Sequence, residues 1–343
     1  MTDPNKPLET NRRKFIVGST AAATTFFIGR PKAQAGDAEI ILKLATVAPK
    51  DTPWDKALRR VSQRLKNGTD GRVRIKAYKG GAVGDEISTF SRVRKGDKKL
   101  RMWAGTTAAA ASLIPELAAL ELPYLFPSLK ASDNILDNHV RGDIDTLLKR
   151  AGLKLLSFNE NGLRSIGTNF GPIKSTADLK GKKMRSQPGD VPLNTWRALG
   201  ATPVPIPVTE AMTALQTGVV DGFANTPLFT FAAGWYQTLT DFTLTEHVYQ
   251  AAFVVIHLDT WNLLGTDVQE LLMGDPTADA KYGRKKVRAL NPALIDNFGA
   301  AGINLHKSTA DEKRSFKKAT ASTHKKFTSK YGSSLYKAIT KHL

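Results

Sequence analysis

Apolar and polar positions along the chain switch repeatedly between a period near two and a period near 3.6. The run "AEIILKLATVAP" (38–49) is nearly continuous in apolar and β-branched residues, which predicts a buried strand. In "TPWDKALRRVSQRLKNG", Trp54, Leu58, Val61 and Leu65 recur every three or four residues. Thr52 stands as N-cap, Pro53 takes the first helical position and Gly68 closes the segment, so a helix is predicted. "RVRIKAYKGG" alternates as a second strand, "EISTFSRVRKG" reads as a helix and "KLRMWAG" as a third strand. Strand, helix, strand, helix, strand implies an α/β unit with a largely parallel sheet.

A second cycle opens at "GLKLLSFNENG", a strand, followed by short strands in "SIGTNFGPI" and "KKMRS". Next come a helix ("DVPLNTWRALG"), a strand-like "TPVPIP", a helix ("TEAMTALQTG"), and a strand and turn in "VVDGFANTP". Thr226-Pro227 starts a further helix, "LFTFAAGWYQTL", in which Phe231, Trp235 and Tyr236 read as core. "QAAFVVIHLDTWNLL" returns to buried strand character, and the remainder to Leu343 is mainly helical and basic. Two α/β domains joined by more than one crossover account for this order.

The first 35 residues need separate treatment. "NRRKFIV", then "GSTAAATTFFIG", then Ala33-Gln34-Ala35 give a basic region, a short apolar stretch and a cleavage site. That is the pattern of a cleaved export signal, and Arg12-Arg13 makes it similar to the twin-arginine kind. The alternative is a basic tail before a buried helix. The chain has no cysteine, so disulfides, thiolate zinc sites and thiol catalysis are excluded. Its net charge is +19, of which the first 35 residues carry +4 (six Lys/Arg against two Asp/Glu), leaving +15. Such a field favours anionic partners. No nucleic-acid recognition motif accompanies it, and export would remove the protein from nucleic acid. The six histidines lack metal-ligand spacing, and neither a Gly-x-Ser-x-Gly elbow nor a phosphate-binding glycine loop occurs, so no enzyme and no cofactor are expected.

"NGLRSIGTNFGPIKSTADLKGKKMR", "LGATPVPIPVTEAMTALQTGVVDGFANTP" and "IPELAALELPYLF" occur in one order, and in that order the chain resembles a known family. These are the solute-binding proteins of tripartite ATP-independent periplasmic (TRAP) transporters, of the dicarboxylate-binding type. The resemblance implies two α/β domains facing each other across a ligand cleft, the periplasmic binding protein type, linked by strands and a long helix. Domain I is expected at 36–161 with about 250–290, and domain II at 162–249 with about 291–343. It implies a periplasmic monomer that captures a small organic acid anion and hands it to membrane permease subunits. A sensing partner in place of the permease is the alternative, and an exported enzyme acting on organic acids is a third.

The resemblance also assigns residues. The arginine ending the "DLKGKKMR" pattern, here Arg185, pairs with the ligand carboxylate in the family. Arg164 of the "NGxR" pattern supports it, and Asn225 matches the ligand-bonding asparagine, with Thr226 inserted before Pro227. Ser186 and Gln187 replace the family's usual Val-Pro. Gly105, Ala108 and Val208 fall at expected pocket positions where several members carry larger or more polar groups. This points to a ligand less polar than an acidic sugar. On residue chemistry alone, a guanidinium fork suits a carboxylate, and Arg185 ends a short strand before Pro188-Gly189. Lys180, Lys182 and Lys183 beside it read as solvated charges. Arg164 reads either as a ligand contact or as an interdomain salt bridge, and Asn225 either as a ligand contact or as turn chemistry. Trp103 reads either as a pocket wall or as core.

Overall fold

A computed structural model describes residues 40–343, so the export signal expected at 1–35 lies outside the described residues. Three strands form the first edge of the sheet: β1 (Ile40–Ala45), β2 (Val73–Tyr78) and β3 (Met102–Thr106). They pair in parallel in the order β2-β1-β3, with Ile40 opposite Val73 and Leu44 opposite Met102. The helix Pro53–Gly68 connects β1 to β2 as its caps dictate, Thr52 accepting from the Asp55 amide. The helix Glu86–Arg94 connects β2 to β3 and is capped by Asp85, which accepts from the Ile87 amide at 2.9 Å.

Two strands are much longer than the sequence pattern predicts. β4 (Leu153–Thr168) runs 16 residues through both "GLKLLSFNENG" and "SIGT". The Asn-Gly at its middle is a bulge. Register shifts between Glu160 and Gly162, and Gly162 takes φ +106, so the chain kinks and continues. β5 (Lys183–Ser186), β6 (Thr202–Pro205) and β7 (Gly222–Asn225) form the opposite edge, with β5 parallel to both neighbours. β8 (Asp241–His257) has 17 residues and begins nine residues before the expected strand, while "LDTWNL" turns helical. β9 (Asn304–Lys307) pairs with its first residues.

The nine strands among the described residues belong to one sheet, in the order β2-β1-β3-β8-β4-β7-β5-β6, with β9 beside β8. The sheet is therefore mixed: β8 is antiparallel to β3 and β4, and β4 is antiparallel to β7. The two edges meet only along β4 and β8. There the register jumps from Arg164 opposite Val248 to Ile166 opposite Thr243, so β8 carries extra residues at the crossing. Helices cover both ends of the sheet. Hydrophobic clusters form around Trp103, Phe90 and Phe253 at one end and around Phe223, Trp235 and Phe242 at the other. Among the described residues, no helix is long and apolar enough to cross a membrane.

Candidate functional site

The strand "KMRS" places Met184 and Arg185 on opposite faces, yet both are buried. Met184 enters a hydrophobic cluster, whereas Arg185 turns under Trp235, its guanidinium carbon 5.3 Å from the ring centroid. Only 2% of Arg185 is exposed, and its Nε donates to the Ile206 carbonyl at 2.9 Å. Arg164, 6% exposed, sits at the irregular crossing of β4 and β8 and donates from Nη2 to the Ala224 carbonyl. Neither guanidinium has a carboxylate within 4 Å among the described residues. Burial and the neighbouring Arg164 charge lower the Arg185 pKa to about 9. Burial lowers that of Arg164 to about 10 against the opposing pull of Glu121 and Glu86. Two desolvated cations are thus each bonded to a backbone carbonyl.

Asn225 ends β7 opposite Ser165 of β4, the residue that follows Arg164. It is buried, and its Oδ1 accepts from the Thr226 amide at 2.9 Å. The inserted Thr226 caps the helix Pro227–Ala232, accepting from the Phe229 amide at 3.2 Å. Asn225 therefore has a local turn role and lies on the same pair of strands as Arg164. His247, buried nearby, is held uncharged, its pKa lowered to about 3 by burial and by Arg164.

An aromatic chain leads away from Arg185. Trp235 lies 5.5 Å from Phe229, and Phe229 lies 6.1 Å from Trp54. Phe229 and Trp54 form one wall of a cavity of ≈ 40 Å³, with Leu58 and Phe253 extending it. By the measure in which one water needs about 10–15 Å³, this holds a few water-sized groups. Its polar lining comes from Thr46, Glu86, Thr106, Asn159 and Asn161. The Trp54 indole N–H donates to the Glu160 carbonyl at 2.8 Å, which fixes that wall.

Glu86 is the residue that the sequence reading missed. Standing in the first turn of a helix behind an Asp cap, it looks like an ordinary partner for the helix dipole. The fold buries it instead. Its two oxygens accept from the Thr106 amide (2.7 Å) and hydroxyl (3.0 Å). Desolvation pushes its pKa up to about 7, against the lowering effect of Thr106 and Arg185. Glu121 is a second such group, buried, bonded by the Thr107 hydroxyl and likewise raised to about 7 by burial. A charge inside the apolar run "LAALELPYLF" is the signal that could have found it.

Trp103 is fully buried between Phe90 (4.7 Å) and Phe253 (5.7 Å) and is not part of the cavity wall. Its indole N–H donates to the Glu86 backbone carbonyl at 3.1 Å, so it supports the site from the core. Val208 is half-buried against the Trp235 cluster. Gly105 does line the cavity. A Cβ there would lie 2.3 Å from Trp103 Cζ2 and 2.6 Å from Glu86 Oε1. Because Trp103 is wedged between two rings, Gly105→Ala should cost about 1–3 kcal/mol in urea denaturation. Unchanged stability would show that the Trp103 wedge yields.

A model of the bacterial extracellular solute-binding proteins, family 7, matches residues 44–330. The chain is 28% identical over 249 residues to the 2,3-diketo-L-gulonate-binding periplasmic protein YiaO of Escherichia coli (strain K12), covering 73% of this chain and 75% of that one. A TRAP periplasmic solute-binding protein from Citrobacter koseri, solved with bound D-glucuronate, is similar with a TM-score of 0.81 at 28% identity, covering 88% of this chain and 98% of that one. Another from Ralstonia eutropha H16, solved with bound (S)-2-acetolactate, gives 0.80 at 27% identity, with 88% and 97% covered.

Proposed function

The chain belongs to the bacterial extracellular solute-binding proteins of family 7, and from that premise we propose that it captures a small organic carboxylate at Arg185 in the periplasm and delivers it to a TRAP-type permease. The family is one of solute-binding proteins, not of enzymes. The observation that carries the carboxylate reading is the pair of buried guanidiniums, Arg185 and Arg164, each bonded to a backbone carbonyl and, among the described residues, with no carboxylate within 4 Å. The named relatives each carry an organic acid in their descriptions, which supports the same class.

In this reading Arg185 makes the main ion pair, and Arg164 and Asn225 add hydrogen bonds from the same end of the sheet. Val208 shapes the floor under Trp235, and Trp103 holds Glu86 in place. The two domains divide where β4 and β8 cross, at 36–161 with about 250–290 and at 162–249 with about 291–343. The register jump at Arg164 supports a hinge there, and closure around the anion is a population shift of that hinge. The protein acts as a monomer.

A thermal-shift screen of organic acids tests the function. A ligand present at a hundred times its Kd adds about 2.7 kcal/mol to stability. One or more short carboxylates should raise the melting temperature by several degrees. If only neutral sugars or cations do so, the carboxylate reading is wrong.

A further inference from the structure

The positive charge of the chain is gathered at its C-terminal end. Residues 313–343 hold nine Lys/Arg and no Asp or Glu, so they carry nine of the fifteen net charges that remain beyond residue 35. Seven of the nine lie on one helix, Ala310–Tyr331. Its acidic residues, Asp311 and Glu312, are confined to the first turn, where Glu312 closes a capping box with Thr309. Phe316, Thr320, Thr323 and Phe327 are buried along one side. Phe316 enters the cluster of Met184 and Phe327 that of Trp103, so the core fixes which side faces outward. At about 3.6 residues per turn, Arg314, Lys318 and Lys325 stand opposite the buried stripe, flanked by Lys317 and Lys326. All five are exposed.

Three of the seven cations are already held, Lys313 by Glu246, Arg314 by Asp311 and Lys330 by Asp190. Lys317, Lys318, Lys325 and Lys326 have no carboxylate within 4 Å among the described residues. The helix dipole favours cations in the last turn, which accounts for Lys330 but not for a run of cations that begins at Lys313. Between the lysines the outward side is small and uncharged, with Ala321, Ser322 and Ser329 exposed. Of the large hydrophobic side chains exposed among the described residues, none lies on this helix.

We propose that this face of the helix rests on a membrane surface of anionic phospholipid headgroups. The inference goes beyond the carboxylate reading and does not depend on it. A headgroup layer asks only for charge spread over an area, and Lys supplies it as a compact, hydrated point charge. Arg314 and Lys325 are eleven residues apart, about 16 Å along the helix axis, so the charge is spread and not aimed at one anion. A protein partner fits less well. Protein interfaces are depleted in Lys and centre on aromatic, apolar or Arg anchors, and the one Arg here is already paired with Asp311. Each Lys near an anionic surface strengthens binding by about five-fold, and the attraction reaches about 10 Å in 0.1 M salt but about 3 Å in 1 M. A chain held there would meet a membrane permease by diffusing along the surface.

Co-sedimentation with lipid vesicles tests the proposal, on the chain from Gly36 so that the basic run Arg12–Lys14 takes no part. That chain contains the nine described strands and the clusters packed on them, a melting curve checks that it is folded, and the full chain is run in parallel. The vesicles are phosphatidylcholine alone or with about one-third phosphatidylglycerol. In about 0.1 M NaCl the wild type should bind the anionic vesicles at least about ten-fold better than the neutral ones, and about 1 M NaCl should release it. Lys317→Gln with Lys318→Gln and Lys325→Gln should weaken that binding by about a hundred-fold. Gln has a helix propensity close to that of Lys, so the melting temperature and the binding of organic acids should not move. Lys95→Gln with Lys98→Gln and Lys99→Gln removes the same charge from the exposed lysines of the turn 95–99 and should weaken binding by less than about three-fold. Equal losses in the two triple variants, or a loss below about ten-fold in the first, overturn the proposal. Wild-type binding that ignores phosphatidylglycerol overturns it too. So does binding to native membrane vesicles that protease treatment abolishes, with none to protein-free anionic vesicles, which would give the face to a protein partner. None of these outcomes bears on the thermal screen of organic acids, so the two readings fail separately.

Discussion

Arg185→Ala will weaken binding of the best organic acid by about a hundred-fold or more, and the ligand-free protein will melt within a few degrees of the wild type. Both halves of this expectation come from the same geometry. The guanidinium is 98% buried, has one bond to a backbone carbonyl and faces no carboxylate at contact distance among the described residues. Hydrogen bonds to charged groups contribute about 1.5–3 kcal/mol each, and a forked pair to a ligand carboxylate adds two of them. In the ligand-free state the same group contributes little. Its desolvation is offset only by the Ile206 carbonyl, the Trp235 face and the more distant field of Glu86. Removing it relieves a desolvated charge that has no ion-pair partner, and this offsets the cavity left behind and the lost Ile206 bond. Arg185→Lys keeps the charge but loses the fork, so a loss of about ten-fold is expected. Calorimetry and a melting curve on the three proteins check it. Unchanged affinity in both variants would reduce Arg185 to a packing residue.

Much of the local structure that carries these residues is legible in the sequence. The Thr52-Pro53 and Thr226-Pro227 starts and the strand carrying Arg185 all follow from local chemistry, and local chemistry decided them. The misreadings share a cause of the opposite kind. "DFTLTEHVY" looks too polar for a buried strand, but tertiary partners satisfy its polar groups: Thr243 accepts from the Ile173 amide, and Thr245 bonds His247. "NENG" has turn composition, yet the neighbouring strand carries the chain through Gly162 as a bulge. Glu86 was hidden because its helix-start position already explains an acidic residue. Only the approach of β3 and β5, distant in sequence, gives it Thr106 and Arg185 as neighbours.

Arg284→Ala will lower stability by about 3–5 kcal/mol, although Arg284 is as deeply buried as Arg185. Only 2% of its side chain is exposed. It makes a bidentate pair with Asp137, Nη1 at 2.7 Å and Nη2 at 3.0 Å, and its Nε lies 3.2 Å from Asp133. These bonds fasten the helix Pro276–Arg288 to the wide turn Ile135–His139. The neighbouring Arg288 continues the network to Asp133 and to Glu160, at the β4 bulge. Deleting Arg284 leaves Asp137, 8% exposed, as an unpaired charge, and breaking a buried pair from one side is costly. The urea midpoint should fall with little change in slope, and the melting temperature should drop by about 10 °C. Arg284→Met combined with Asp137→Leu should recover most of the loss, since a buried pair can be exchanged for well-packed apolar groups. A loss below about 1 kcal/mol in the single variant would show that water reaches Asp137. The contrast between the two arginines is set by what surrounds each guanidinium: carboxylates from the protein tie Arg284 to the fold, whereas among the described residues none lies within 4 Å of Arg185, as the proposed role of its fork requires.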